Sequence, residues 1–399
     1  MSDLPFRAFD ADNHYYEAED AFTRHVDRRM QRRGVQWVEL GGRKRILVAG
    51  RLDRFIPNPS FDPITLPGAL EAYFRGENPE GLTPAELFAG QLEPIRPEYR
   101  DRDARVALLD AQGLEACLLF PTLGCGIEQP LRHDVEATLA VLSGFNRWLE
   151  EDWGYSYRDR LIAVPMLSLA DVELAVAELE RVLARGARVV YLRPAPVPKR
   201  DGRSVSPGHP EHDPFWARIH EAGVTVALHT GDSGYSTLSR WEPPADLEAF
   251  RGGHSLGMLT QYGRAIMDTL AALIAHGVFQ RFPNLRVATI ECGSFWVPWL
   301  FANMKKTFGQ MPRLFAEDPR ETFRRHVWVA PFFEDDVREL ARLIGVDHVL
   351  FGSDFPHAEG LRRPGDFRAE LAGFSEAEVR AIMCDNPRAI ATPRPASAA

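Results

Sequence analysis

From about residue 102 onward, short β-branched apolar runs alternate with amphipathic helical stretches, which limits the chain to a sheet with helices packed on it. The runs predicted as strands are 115–120, 161–167, 187–193, 224–229, 285–291, 327–332 and 348–352, and 5–12 supplies an eighth near the start. They read as near-continuous apolar stretches, as strands do when both faces of a parallel sheet are buried. Between them lie helical patterns such as Val172–Ala184 and 266–276, with apolar residues at three- and four-residue steps. Eight strand–helix units predict an α/β fold, a (β/α)₈ TIM barrel. The rival, an open doubly wound sheet, wants a Gly-rich phosphate turn after its first strand, and none is present.

Three segments exceed what a strand–helix connection needs: 18–100 after strand one, 194–214 after strand four and 230–262 after strand five. The first contains a predicted hairpin over 35–52, turning at Gly41-Gly42. All three follow carboxyl ends of strands, where barrel active sites are built, so they are expected to be lid and pocket walls. Residues 1–392 read as one domain, and 393–399 as a disordered tail.

Composition removes several function classes. A formal net charge of −9, with no Lys/Arg block interleaved with aromatics, argues against a nucleic-acid partner. No apolar run is long enough for a bilayer, and the first residues lack the basic-then-apolar pattern of a signal peptide. Cys117, Cys125, Cys292 and Cys384 show no disulfide or metal spacing. The expectation is a cytoplasmic enzyme with a small-molecule substrate and no membrane partner, for which a homodimer is the default state.

The chemistry gathers at strand ends. Strand one ends Asp10-Ala-Asp12-Asn-His14-Tyr-Tyr-Glu17, and strict alternation puts residues 10, 12 and 14 on one face. Three polar groups facing a barrel interior need a partner, and a metal ion is the simplest; a hydrogen-bonded Asp/His pair is the bland alternative. Strand five ends at His229, strand six at Glu291 and strand eight at Asp354, three residues before His357. Four strands thus deliver ligand-type side chains to one rim. His326 and His348 start strands seven and eight on the opposite, stability face. His276 ends a helix, while His25, His133, His209, His212 and His220 read as surface or helix positions. His254, in the Gly-rich segment, stays open between closing over the site and facing water.

The run Asp12-Asn-His14-Tyr-Tyr-Glu17, with His229, Glu291-Cys-Gly-Ser294 and Gly352-Ser-Asp354-Phe-Pro-His357, resembles the amidohydrolase-related family. That family holds metal-dependent hydrolases and non-oxidative decarboxylases on TIM barrels. The opening run is most similar to a branch of TIM-barrel nonheme diiron monooxygenases from bacterial diterpenoid (platensimycin/platencin-type) biosynthesis. Three departures stand out. The usual His-x-His of strand one is Asp12-x-His14, the strand-six histidine is Glu291, and strand four ends Tyr191-Leu-Arg193-Pro194 without a lysine.

The candidate metal ligands are therefore Asp12, His14, Glu17, His229, Glu291, Asp354 and His357, with Glu17 and His357 equally readable as groups that orient a ligand. A carboxylate–imidazole set suits iron or manganese, and seven candidates favour two ions. No residues are assigned to an organic cofactor. The resemblance implies a di-iron monooxygenase that uses O₂ and a reductant to hydroxylate an unactivated C–H of a bulky apolar, CoA-linked diterpenoid. Asp354, Glu291 and His229 would be catalytic, and Phe120, Tyr235, Trp241, Phe295, Trp296, Phe332, Phe333 and Phe355 would offer an apolar pocket. The alternative is a hydrolase or decarboxylase with one zinc or manganese ion, Asp354 or Glu291 shuttling a proton and Arg193 holding the substrate's acid group. A metal-stabilised barrel without catalysis is the third reading. Lys199 and Arg200, in the strand-four segment, read as solvent-facing rather than phosphate-binding.

Overall fold

The computed structural model describes residues 4–56, 58–235, 259–260 and 263–396. The barrel strands are β1 (Ala8–Tyr15), β2 (Leu114–Pro121), β3 (Leu161–Ala163, resuming as Met166–Leu167), β4 (Val189–Leu192), β5 (Thr225–His229), β6 (Arg286–Ile290) and β7 (Val327–Val329). Neighbours pair in parallel in that order. β3 breaks at Pro165, which has no N–H to give. Below the break Val164 N donates to Leu119 O of β2 (3.0 Å), and above it Tyr191 N of β4 donates to Pro165 O (2.9 Å). One strand thereby joins two sheet segments.

The eighth position is filled by 349–351, which is not a regular strand. Leu350 N donates to Val329 O of β7 and Ala11 N of β1 donates to Phe351 O, each at 2.9 Å, so the ring closes. His348, expected at the start of this strand, lies in a 3₁₀ turn (Val346–His348). β1 also departs from expectation: it runs on to Tyr15, and Asp10 pairs Cys117 while Asn13 pairs Leu119. Three steps on β1 oppose two on β2, so β1 carries one extra residue, a bulge.

The helix Val172–Ala184 forms as expected, and 266–276 is realised as Arg264–Ala275. In the first, the Asp171 side chain caps Leu174 N, and Ala175, Leu179 and Val182 are buried at four- and three-residue steps. In the long segment after β1, antiparallel strands Val35–Leu40 and Arg43–Val48 meet at Gly41 and Gly42 (φ 61° and 71°), the two left-handed positions of a tight hairpin turn. This segment lies on the carboxyl-end rim: Gly68 N donates to His357 O (3.2 Å) and Leu70 N to Ala358 O (2.8 Å). The segment after β4 includes a short ribbon, Val197–Pro198 with Ser204–Val205. Trp241 and His254 lie outside the described residues.

The chain end is ordered further than composition implied. Arg394 N donates to Gly223 O (2.9 Å), Ala396 N to Glu221 O (3.2 Å), and Asn284 Nδ2 to Arg394 O (2.8 Å). Backbone pairing with the turns before β5 and β6 supplies what the small-residue sequence lacks; residues 397–399 lie outside the described set. Among the described residues no helix is long and apolar enough to cross a membrane.

Candidate metal centre

Six of the seven expected ligands converge at the carboxyl ends of the strands. Asp12, His14, His229 and Glu291 form one group whose ligand atoms all lie within 4.8 Å of one another; His14, Glu291, Asp354 and His357 form an overlapping one. His14 Nε2 is 3.3 Å from each of Asp12 Oδ1, Glu291 Oε2 and Asp354 Oδ1. His229 Nε2 is 3.2 Å from Glu291 Oε2 and 3.6 Å from Asp12 Oδ1. Ligands bound about 2.1 Å from one ion sit roughly 3.0–3.4 Å from their neighbours, so the measured pairs have the spacing of adjacent ligand atoms around an ion, with His14 and Glu291 common to both groups.

Both imidazoles are aimed. His14 Nδ1 lies 3.2 Å from Pro121 O and His229 Nδ1 lies 2.8 Å from Thr230 O. A carbonyl only accepts, so each Nδ1 carries the proton and each Nε2 presents a lone pair to the cluster. Phe120 stacks on His229, centroids 4.5 Å apart. Asp12 Oδ1, His14 Nε2 and His229 Nε2 are buried and have no hydrogen-bond partner. Buried polar atoms are almost always paired, so three unpartnered ones aimed at one point fit a bound cation.

The electrostatics agree. Burial, with Glu291 facing it, pushes the Asp354 carboxyl well above the usual range. Against the opposing effect of burial, His14 and His229 hold Asp12 down to about 2. Burial would lower His14 too, yet Asp12 and Glu291 push it up to about 10. The carboxylates thus favour positive charge at His14 Nε2, the place a divalent ion would take.

Backbone geometry at the rim is special. Glu291 and Asp354 both have positive φ (50° and 55°), where the chain turns sharply off the barrel. Gly352 brings the eighth segment against β1: a Cβ there would lie 2.6 Å from Asp12 Cβ.

Asp10 and Glu17 do not join the ligands. The bulge turns Asp10 off the face of Asp12 and His14, and its oxygens accept from Ser353 and Asn13 instead. Glu17 belongs to neither group: Oε2 accepts Leu123 N (3.1 Å) and Oε1 accepts Gly124 N (2.9 Å), so the carboxylate fastens the loop after β2. His357 packs on His14, ring centroids 4.0 Å apart, with Nδ1 2.6 Å from Asp354 Oδ1 and Nε2 2.9 Å from Thr122 Oγ1.

Arg193, considered for the substrate's acid group, is already engaged. Its Nε faces Glu128 Oε2 (3.3 Å), and its Nη1 donates to Asp232 O (3.1 Å) and to Gln129 Oε1. Lys199 is not solvent-facing: it pairs with Glu211 and donates to His212 Nε2 (3.1 Å). His212, read as a surface or helix position, closes a 3₁₀ turn (Pro210–His212) and is wholly buried, with Nδ1 3.2 Å from Pro207 O. Arg200 pairs with Asp171 at an exposed position.

Sequence reading missed Thr122 and Cys125, whose Sγ lies 3.6 Å from His229 Nδ1. Their only signal is position just past an apolar strand. Of the expected pocket aromatics, Phe295 is half exposed, whereas Trp296 is buried with Nε1 on Cys292 O and Gly293 O.

Residues 97–390 match the family model described as amidohydrolase. A solved amidohydrolase from Mycobacterium avium subsp. paratuberculosis K-10 is 49% identical, with a TM-score of 0.91 over 97% of this chain and 100% of that one. A 6-methylsalicylic acid decarboxylase from Penicillium expansum is 28% identical over 43% of this chain, and the match spans only 48% of that enzyme. A dihydroxybenzoic acid decarboxylase from Polaromonas sp. JS666, solved with bound manganese, shares the fold at 16% identity, with a TM-score of 0.61 over 97% of each chain.

Proposed function

Because the chain belongs to the amidohydrolase family, we propose that it is a metal-dependent decarboxylase of a small organic acid, using one divalent ion. The ion would be held by Asp12, His14, His229, Glu291 and Asp354. The spacing of their donor atoms, 3.2–3.6 Å between the measured neighbours, carries this reading. A donor set with three carboxylates suits manganese, with zinc as the alternative. The Penicillium relative is a decarboxylase, and the Polaromonas structure of the same fold is described with manganese; both support the choice.

A bound divalent ion would supply Lewis acidity, drawing electron density from substrate oxygens. The side chains do the rest. His14 and His229 keep a fixed orientation through their carbonyl partners, and Phe120 shields one side from water. Asp354 Oδ1 and His357 Nδ1 lie close enough to hold one proton between them. In decarboxylation the carbon–carboxylate bond breaks, CO₂ leaves, and the carbon takes up a proton, which this pair is placed to deliver.

Hydrolysis is the second reading, favoured by the 49%-identical protein described as an amidohydrolase. Asp354 would then accept a proton from the attacking water. The di-iron oxygenase reading has less support: Glu17 is committed to backbone amides, and the relatives named above are decarboxylases and an amidohydrolase.

The test is anaerobic incubation of manganese-loaded protein with a panel of hydroxybenzoates and a panel of amides and lactones, scoring CO₂ and hydrolysis products. CO₂ from at least one acid is expected. Turnover of an amide or lactone without CO₂ would install hydrolysis, and turnover only with O₂ and reductant would install the oxygenase.

A further inference from the structure

Two residues beside the ligands, neither assigned a role so far, bond to each other across the seam where the barrel closes. Asp10, on β1, is wholly buried, and each of its oxygens accepts two hydrogen bonds. Oδ1 takes Asp12 N (3.1 Å) and Ser353 N (3.0 Å); Oδ2 takes Asn13 Nδ2 (2.9 Å) and Ser353 Oγ. Ser353 Oγ in turn accepts Phe355 N–H (3.1 Å), spanning the residue between them, Asp354, whose φ is positive.

The connectivity has a direction. Asp12 N is the amide of one ligand, and Ser353 and Phe355 flank another. Asp354 N donates back to Asp12 O (2.9 Å), closing the loop through the main chain. This stretch is also where the eighth strand is irregular, so side-chain bonds replace the ladder that would otherwise set its register. A carboxylate with four donors is a rigid joint, and a left-handed non-Gly residue persists only where its surroundings over-determine it.

We propose that Asp10 and Ser353 are the positioning pair of the metal centre, holding the Asp12 and Asp354 carboxylates where both meet His14 Nε2. Neither touches the ion; they act through the backbone of the two ligands. The inference rests on the single-ion reading of the site and is independent of which reaction the ion serves.

Ser353→Ala removes one of four donors to Asp10 and the acceptor for Phe355 N, with little change in volume. Ser168→Ala is the control, since Ser168 Oγ donates to Glu128 Oε1 (2.7 Å), a buried serine–carboxylate bond of the same kind away from the ligands. Manganese(II) affinity is measured by calorimetry on metal-stripped protein, and the visible absorption of the cobalt(II)-loaded protein reports ligand geometry. The Ser353→Ala protein should bind manganese about 10–100-fold more weakly, the range found when groups orienting metal ligands are lost. Its cobalt spectrum should also shift, while Ser168→Ala matches the parent on both. Asp10→Asn, checked for folding by circular dichroism, should show the same losses. Parent-like affinity and spectrum in Ser353→Ala, or equal losses in Ser168→Ala, would overturn the positioning role alone. A parent that binds no divalent ion would remove the centre itself.

Discussion

The imidazoles of His14 and His229 meet edge to face, ring centroids 5.1 Å apart and planes 69° apart. Each is turned by a different backbone carbonyl, so two rings from strands far apart in sequence present Nε2 to the same point. Replacing either with Gln should cut divalent-ion affinity by at least about two orders of magnitude, because a ligand and its preset orientation go together. Metal content after dialysis checks this; full retention in either variant would remove that residue from the site.

Asp354→Asn should separate metal binding from stability. Asp12, Glu291 and Asp354 bring three carboxylates to one buried point. Neutralising one relieves repulsion that only a cation would otherwise offset. In chelator at mildly alkaline pH the variant should unfold at a higher temperature than the parent, and with manganese present the order should reverse. A lower melting temperature in chelator would contradict the crowding described.

For Glu17→Gln the expectation runs the other way. Its carboxylate accepts Leu123 N and Gly124 N, and Gln keeps an acceptor for only one of them. A loss of about 1–2 kcal/mol in unfolding free energy is expected, with unchanged metal stoichiometry. Loss of metal without loss of stability would return Glu17 to the ligand set.

Gly352→Ala tests the closure of the barrel. The added methyl would meet Asp12 Cβ at 2.6 Å, closer than packed carbons come, so strand or ligand must shift. Destabilisation of about 1–3 kcal/mol, with weaker manganese binding, is expected from denaturant unfolding and calorimetry. A variant equal to the parent in both would show that the eighth segment can move freely against β1.

His212 gives a pH dependence remote from the ligands. Burial, aided by the Lys199 ammonium, lowers it from 6.5 to about 4, with Glu211 opposing. A depressed histidine is neutral in the folded chain and charges more readily when unfolded. Its contribution is therefore complete above pH 6.5 and is lost as the pH falls toward about 4. His212→Gln should flatten the fall in melting temperature across that window; an unchanged slope would assign the acid lability elsewhere.

The barrel and the ligand-bearing strand ends were legible because both follow from periodicity: an apolar run that stops at His229, Glu291 or Asp354 marks its own rim. What periodicity could not show was any break in it. Alternation put Asp10 beside Asp12 and His14, and one unpaired residue in β1 undid that. Glu17 looked like a ligand because nothing in its neighbourhood reveals that Leu123 and Gly124 present their amides to it. The burial of His212 could not be read from the sequence, since Lys199 and Pro207 enclose it only through the fold. The metal chemistry was less legible for a related reason: seven candidate ligands suggested two irons, and one of the seven accepts backbone amides instead.

The bulge in β1 has a meaning for how this gene can change. Losing a single codon, that for Ala11, would give the sheet a continuous ladder between Asp10 and Asn13, a gain by every local measure of strand pairing. It would also set Asp10 directly before Asp12, closing the loop in which Asp10 Oδ1 accepts the Asp12 amide and losing the joint with Ser353 that ties the two ligand-bearing segments together. Regular pairing and the geometry of the centre therefore make opposite demands on that one codon.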